Sequence, residues 1–253
     1  MEDTISIIIP VYNSYHTLDE LYNRLIKILK NEFLNYEIIM IDDYSEDKSL
    51  LKLQELNQKD NHVKIIKLAE NFGQQNALMC GLNYASYDYI VTIDDDLQHL
   101  PVDIIDLYNE IKKGYDIVYG IPAERQQLFY RRLGSYLTDK MFNLITKKSQ
   151  DIRVSSFRIM KRKLVEKIIE DKRSFVYLSA IILNLTDNIG NIYIEHEERR
   201  YGSSNYNFYK LFKLFSKLYI YYSQNKLCEL LRKERPQFII EEKKGFDKEF
   251  NNK

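Results

Sequence analysis

The stretch Tyr87–Pro101, YDYIVTIDDDLQHLP, sets an apolar β-type run directly against three consecutive carboxylates. Tyr89–Ile93 has the β-branched, near-continuous character of a strand buried on both faces. Asp94, Asp95 and Asp96 then crowd like charges at its end. At about 4 Å and an effective dielectric near 20, each such pair costs about 4 kcal/mol, which a bound cation removes. If the backbone stays extended, Asp94 and Asp96 share one side and Asp95 points away. Asp94, Asp96 and Gln98 are then candidate oxygen ligands for Mg²⁺ or Mn²⁺. The competing reading is an acidic strand end that caps the next helix.

Outward from this stretch the front half repeats the same alternation. Ile5–Val11, Tyr36–Ile41 and Val63–Leu68 read as further buried strands. Leu18, Leu21, Leu25, Ile28 and Leu29 recur at helical spacing, and Asp47–Leu56, Gln74–Ala85 and the segment from about Pro101 to Lys113 read as helices. Asp116–Tyr119 adds a strand. Alternation of this kind predicts an α/β fold, an open, mainly parallel sheet with helices on both faces. Ligands of such sheets bind at the carboxyl ends of the strands. Two other strand ends carry polar groups there: Pro10-Val11-Tyr12-Asn13, offering a stacking face and an amide, and Asp42-Asp43, suited to ribose hydroxyls or a base N–H. No G-x-G-x-x-G follows the first strand and no Gly-Lys-Ser/Thr phosphate loop is present.

Beyond Gly120 the pattern loosens. Arg125–Lys147 reads as helical, Ser156–Met160 as a short strand, Lys163–Ile169 and Val176–Leu185 as helices, and Ile189–Glu195 as a strand returning to the sheet edge. Phe208–Tyr222, FYKLFKLFSKLYIYY, is an amphipathic helix. Its aromatic stripe and lysines suit either a membrane interface or packing on the core. The sequence after Gln224 mixes charges without period, and its end, EEKKGFDKEFNNK, is expected to be disordered.

The chain of 253 residues has zero net charge, unevenly distributed: residues 1–120 hold 21 acidic and 10 basic residues, residues 121–223 hold 10 and 19. An acidic front suits a cation and a basic back suits a phosphate or an anionic surface. Cys80 and Cys228 lack metal-type spacing and read as reduced, cytosolic thiols. The amino terminus lacks a signal-peptide pattern, and no stretch nears the roughly 18 apolar residues of a membrane span. Nucleic-acid binding finds no motif and no basic run.

Seven stretches together resemble the family 2 inverting glycosyltransferases of GT-A (Rossmann-like) fold, in the polyprenyl-phosphate branch that includes dolichol-phosphate mannose synthase. They are SIIIPVYNSYHTLDEL (6–21), YEIIMIDDYSEDKS (36–49), LAENFGQQNALMCGLNYA (68–85), YDYIVTIDDDLQHLP (87–101), GYDIVYG (114–120), SSFRIMKR (155–162) and RRYGSSNY (199–206), in family order. The resemblance implies a catalytic domain over residues 1–205, the amphipathic helix over 206–223, and a polar tail over 224–253. It implies a nucleotide-sugar donor site of Pro10, Tyr12, Asn13, Asp42, Asp43, Asn71, Asp94 and Asp95, with Mg²⁺ or Mn²⁺ at Asp94 and Asp96 and Gln98 close by. Arg125, Arg131, Ser135 and Arg199 correspond to the residues that hold an acceptor phosphate. Two departures stand out: Ser156 replaces an acidic residue before the FRIM segment, and Asn205 replaces the usual lysine.

The expected function is metal-dependent inverting transfer of a sugar to a polyprenyl (undecaprenyl or dolichyl) phosphate. A phosphate acceptor arrives ionised and needs no strong base. A saccharide or other hydroxyl acceptor, the alternative, needs Asp95 or Asp96 to take its proton. A non-catalytic nucleotide-sugar binder is the reading from another class. The expected location is cytoplasmic, with peripheral contact at the cytoplasmic face of a membrane.

Overall fold

The computed structural model describes residues 3–123, 152–195, 197, 208–223 and 226–246. Strands β1 (Thr4–Val11), β2 (Asn35–Asp42), β3 (Val63–Leu68) and β4 (Tyr89–Thr92) alternate with helices α1 (Leu18–Glu32), α2 (Ser49–Lys59) and α3 (Gln74–Tyr84). Then come α4 (Asp103–Ile111), β5 (Ile117–Pro122), β6 (Arg158–Lys161), α5 (Arg162–Ile168), α6 (Leu178–Leu185), β7 (Ile189–Ile194), α7 (Phe208–Tyr222), α8 (Lys226–Glu229) and β8 (Ile240–Lys244). The helix expected over Arg125–Lys147 lies outside the described residues.

These strands form one sheet in the order β7-β5-β6-β4-β1-β2-β3-β8. The stretch β4-β1-β2-β3 is parallel throughout, as is β5 with β7, whereas β6 and β8 run antiparallel to their neighbours. The chain winds from β1 through β2 to β3, then returns to lay β4 on the other side of β1. That reversal opens a crevice between the carboxyl ends of β1 and β4.

Both faces of the sheet are covered, which is why β1 lacks polar alternation. Ile5, Ile7 and Ile9 join one core with Leu18, Leu21 and Leu25 of α1 and Ile104 and Leu107 of α4. Ile8, between them, enters the opposite core with Ala77, Leu78 and Leu82 of α3. Helix α3 lies so close to the sheet that a Cβ at Gly81 would meet Ile8 Cγ2 at 2.5 Å and Ile41 Cδ1 at 2.7 Å. The amino-terminal half of α3 is thereby held beside the crevice.

The carboxyl-terminal part bears on one open alternative and one expectation. On α7, Leu218 and Tyr222 belong to the core under α3, and Leu214, Phe215 and Tyr221 pack against it. The Tyr222 hydroxyl accepts from Tyr177 N at 2.8 Å and donates to Phe175 O at 3.2 Å. Of the described part of the aromatic stripe, Phe215, Leu218 and Tyr222 pack on the core, while Tyr219 stays half exposed. The tail, expected to be disordered, contributes β8, which pairs with β3 from Ile65↔Lys244 to Leu68↔Ile240. Phe238, Ile240 and Phe246 pack on the core, and the Phe246 ring meets Tyr84 edge-on at 5.4 Å. An edge strand tolerates charge on its outer face, here matched by the 2.8 Å ion pair of Lys67 with Glu241.

Candidate donor-binding site

Three strand ends build the crevice. After β1 the chain turns at Asn13, whose positive φ of 54° suits asparagine. Its Oδ1 accepts from Glu46 N at 2.8 Å and Asp47 N at 3.3 Å, and its own N donates to Ser45 Oγ at 3.1 Å. Asn13 thus ties the β1 loop to the β2 loop and leaves Tyr12 half exposed at the mouth. After β2, Asp43 N donates to Val11 O at 2.9 Å, while its carboxylate accepts from Phe72 N at 2.7 Å and Gly73 N at 2.8 Å. Asn71 Nδ2 closes the same knot on Asp43 O at 3.1 Å. Gly73 adopts φ 87°, a conformation that favours glycine, and sends the chain into α3.

Strand β4 stops at Thr92, two residues before Asp94, and Asp95 and Asp96 lie in a bend rather than in extended backbone. The strict alternation expected of the Asp triplet fails for that reason. Asp95 does not point away: its Oδ2 accepts Tyr12 N at 3.3 Å across the crevice. Asp94 accepts from Gln74 Nε2 and from Ser156 Oγ, each at 2.6 Å. Asp96 Oδ1 accepts Gln98 N at 3.2 Å, closing a turn through Leu97 at φ 62°. Asp94, Asp95 and Asp96 line one cleft of about 400 Å³ with Pro10, Val11, Tyr12, Asp43, Asn71, Gly73 and Gln74.

Burial pushes Asp95 up to about 7, reinforced by the charges of Asp94 and Asp96 and opposed by hydrogen bonds from Ser14 and Tyr12 N. It also raises Asp94, against the Ser156 hydroxyl and Arg158, and brings Asp43 to about 6 against its two backbone N–H groups. The sequence thus concentrates costly carboxylates where a cation or a polar ligand would compensate them.

Of the expected donor residues, Pro10, Tyr12, Asn71, Asp43, Asp94 and Asp95 meet in this cleft. Asn13 shapes its wall from behind. Asp42 is fully buried beside it, with Oδ2 near Ser45 N at 3.4 Å, and does not line the cleft. Gln98 turns its side-chain amide to Glu197 O at 3.4 Å, which makes it a brace for the Asp96 turn rather than a cleft residue. Arg125, Arg131, Ser135 and Arg199 lie outside the described residues. Sequence reasoning passed over Gln74, whose contact with Asp94 depends on the turn at Gly73. It noted Ser156 only as a departure, yet its hydroxyl occupies an oxygen of Asp94.

Hard oxygen donors suit a hard divalent cation. Among the described residues no three His, Cys, Asp or Glu side chains gather tightly enough to hold an ion unaided. Asp94, Asp95 and Asp96 present such donors to one cleft and so fit a cation of the Mg²⁺ type, which takes one or two carboxylates and completes its shell with substrate phosphates and water.

Solved structures of similar fold include glucosyl-3-phosphoglycerate synthase from Mycobacterium tuberculosis in complex with Mn²⁺, uridine diphosphate and glucosyl-3-phosphoglycerate. It has TM-score 0.63 and 16% identity, covering 86% of this chain and 78% of that one. The same enzyme with Mg²⁺ and uridine diphosphate gives TM-score 0.61 at 15% identity, covering 86% and 77%. Among curated relatives, the undecaprenyl-phosphate 4-deoxy-4-formamido-L-arabinose transferase of Proteus mirabilis is 34% identical over 211 residues, 83% of this chain and 65% of that protein. The transferase of that name from Yersinia pestis is 33% identical, covering 83% and 64%. This chain thus spans about two thirds, and slightly less, of the relatives' length. The family model described as glycosyl transferase family 2 matches residues 6–169, well over half of the chain and all three strand ends of the cleft, so the chain belongs to glycosyl transferase family 2.

Proposed function

We propose that this chain transfers a sugar from a nucleotide-sugar donor to a polyprenyl phosphate with inversion, assisted by a divalent cation at Asp94 and Asp96. The observation that carries the reading is the crevice between β1 and β4, where Tyr12, Asn71 and the three carboxylates of Asp94, Asp95 and Asp96 face one volume. The names of the relatives support a lipid-phosphate acceptor, and the complexes of the structural neighbours support a metal-bound nucleoside diphosphate.

In this reading Tyr12 offers its ring to the base, and Asn71 and Asp43 hold the loop that borders the nucleotide. Gln74 and Ser156 orient Asp94 through its two oxygens, and the Gln98 turn orients Asp96. Asp95, bonded to Tyr12 N, couples the nucleotide side of the crevice to the carboxylate side. A divalent cation bound there neutralises the charge that builds on the departing diphosphate. The acceptor phosphate is already an ionised nucleophile, and Arg125, Arg131, Ser135 and Arg199 are proposed to position it, arginine forks matching phosphate geometry. Asp95, pushed up to about 7, supports a second reading, in which it or Asp96 takes the proton of a saccharide hydroxyl.

The test supplies labelled UDP-, GDP- and dTDP-sugars with Mn²⁺ to two acceptors, undecaprenyl phosphate and an oligosaccharide mixture. Extractable glycolipid is the expected product. Transfer to the oligosaccharides alone would favour the hydroxyl reading. Tight nucleotide binding without transfer or donor hydrolysis in any combination would leave a binding protein instead.

A further inference from the structure

Strand β6 carries a guanidinium into the core. Arg158 is only 1% exposed. It stands opposite Thr92 of β4 and Tyr119 of β5, so the three form one row across the sheet. Alternation along β6 sends Phe157 and Ile159 to the core of α1 and α4 and Met160 to the core of α3. Arg158 shares the face of Met160, where its strand neighbours are Ile90, Ile117 and Tyr119. The Tyr119 ring lies 5.9 Å from the guanidinium carbon. Nη1 finds no hydrogen-bond partner among the described residues, and no ion pair there involves the side chain. Burying a charge in this way works against folding, so its presence calls for a reason other than stability.

The hydrogen bond that Arg158 does make leads to the donor cleft. Nε donates to Thr92 Oγ1 at 3.2 Å. That contact occupies a lone pair and leaves the Thr92 hydroxyl its single hydrogen, which goes to Ser156 O. Ser156 Oγ in turn donates to Asp94 Oδ2 at 2.6 Å. Arg158, Thr92, Ser156 and Asp94 thus form one polar run from the core to the cleft. Each step sets the direction of the next, and hydrogen bonds in series strengthen one another. The guanidinium charge acts on Asp94 as well.

We infer that Arg158 is a positioning residue of the donor site, which fixes Ser156 through Thr92 and so holds the Asp94 carboxylate in one orientation for a divalent cation. The inference rests on the cation-assisted reading of the cleft. Two other roles make opposite claims. As a bare charge, Arg158 repels a cation at Asp94, and its removal would tighten the metal. As a support of the fold alone, its removal would leave the metal dependence untouched.

The test measures UDP binding across a Mn²⁺ titration, with metal-free melting curves beside it. Arg158→Met puts an apolar side chain in place of the buried charge, an exchange that is often neutral or stabilising. Its melting temperature should equal or exceed that of wild type. The Mn²⁺ concentration for half-maximal UDP binding should rise about tenfold or more, as when a partner of a metal ligand is lost. Because Arg158 acts through Ser156, adding Ser156→Ala should raise it no further than the more damaging single change. Where the methionine unfolds the protein, Arg158→Lys carries the test: it keeps the charge, loses the planar donor and should still raise the Mn²⁺ requirement. An unchanged or lowered Mn²⁺ requirement in the folded variant would overturn the inference, and so would effects of Arg158→Met and Ser156→Ala that multiply. Wild-type UDP binding that ignores Mn²⁺ would remove the cation reading together with the inference. A Mn²⁺-dependent wild type beside an unaffected variant would remove the role of Arg158 alone.

Discussion

Asp103→Asn should stabilise the protein at neutral pH and not in acid. Asp103 opens α4 with 8% of its surface exposed, and its Oδ2 finds no hydrogen-bond partner among the described residues. Burial, then the charges of Asp106 and Glu195, push its carboxyl up to about 6. In the unfolded chain it titrates near 3.9, by about two pH units the more acidic state. The folded protein therefore holds the proton more tightly. The resulting stability is complete below about pH 4 and lost as pH rises through 6. The loss has a ceiling of about 3 kcal/mol at 1.36 kcal/mol per pH unit. A buried amide carries a desolvation cost of its own, about 1–2 kcal/mol. The net gain at pH 7.5 is then about 1–2 kcal/mol, or roughly 3–6 °C for a chain of this size. Melting curves of both proteins from pH 4 to pH 7.5 test this. An equal shift at every pH, or a loss at pH 7.5, would show that Asp103 is not a buried charge under strain. Asp103 also serves as a control for the cleft, because UDP with Mn²⁺ should leave its gain unchanged.

Three further outcomes concern the site and its supports. Asp96→Asn should abolish transfer and the Mn²⁺-dependent thermal shift with UDP while leaving the metal-free melting temperature within a few degrees; full activity would remove the cation from the reading. Ser156→Ala deletes the hydroxyl 2.6 Å from Asp94 Oδ2 and should raise the Mn²⁺ concentration for half-maximal UDP binding by about 10–100-fold, the usual effect of losing a partner of a metal ligand. An unchanged Mn²⁺ titration would mean that Ser156 merely fills space. Truncation before Gln237 removes the acceptors of Asn76 Nδ2 at 2.5 Å and Ala69 N at 2.9 Å, together with Phe238, Ile240 and Phe246. Half-burial of those three side chains is worth about 3 kcal/mol, so melting should fall by roughly 6–12 °C and UDP binding should weaken; unaltered UDP affinity would show that the tail does not support the donor loop.

What could be read in the chain follows from where each interaction is local. Ile5–Val11 declares a strand buried on both faces because Ile7 and Ile8 must each find a core, and they do, on opposite sides. The residue types of the crevice were equally plain, since Asp94, Asp95 and Asp96 have no comfortable place in a core without compensation. Their geometry was not, because it depends on β4 ending at Thr92, which no spacing announces. Gln74 and Ser156 were hidden for a related reason: each reaches Asp94 across 20 and 62 residues of sequence. Helix α7 shows the opposite limit. An aromatic stripe reads the same whether it meets lipid or protein, and it takes the structure to show that Leu218 and Tyr222 meet protein while Tyr219 stays half exposed. Strand β8 was masked by its own charges, which an edge position makes harmless. The same logic links the errors to function. Asp103 and Asp95 carry similar penalties, but Asp103 points at nothing a ligand could use, whereas Asp95 shares a cleft with Asp94, Asp96 and Tyr12. A penalty concentrated at a topological crevice is one that a cation and a diphosphate can cancel on binding, so ligand affinity and apo-state instability at that crevice are two sides of one free energy.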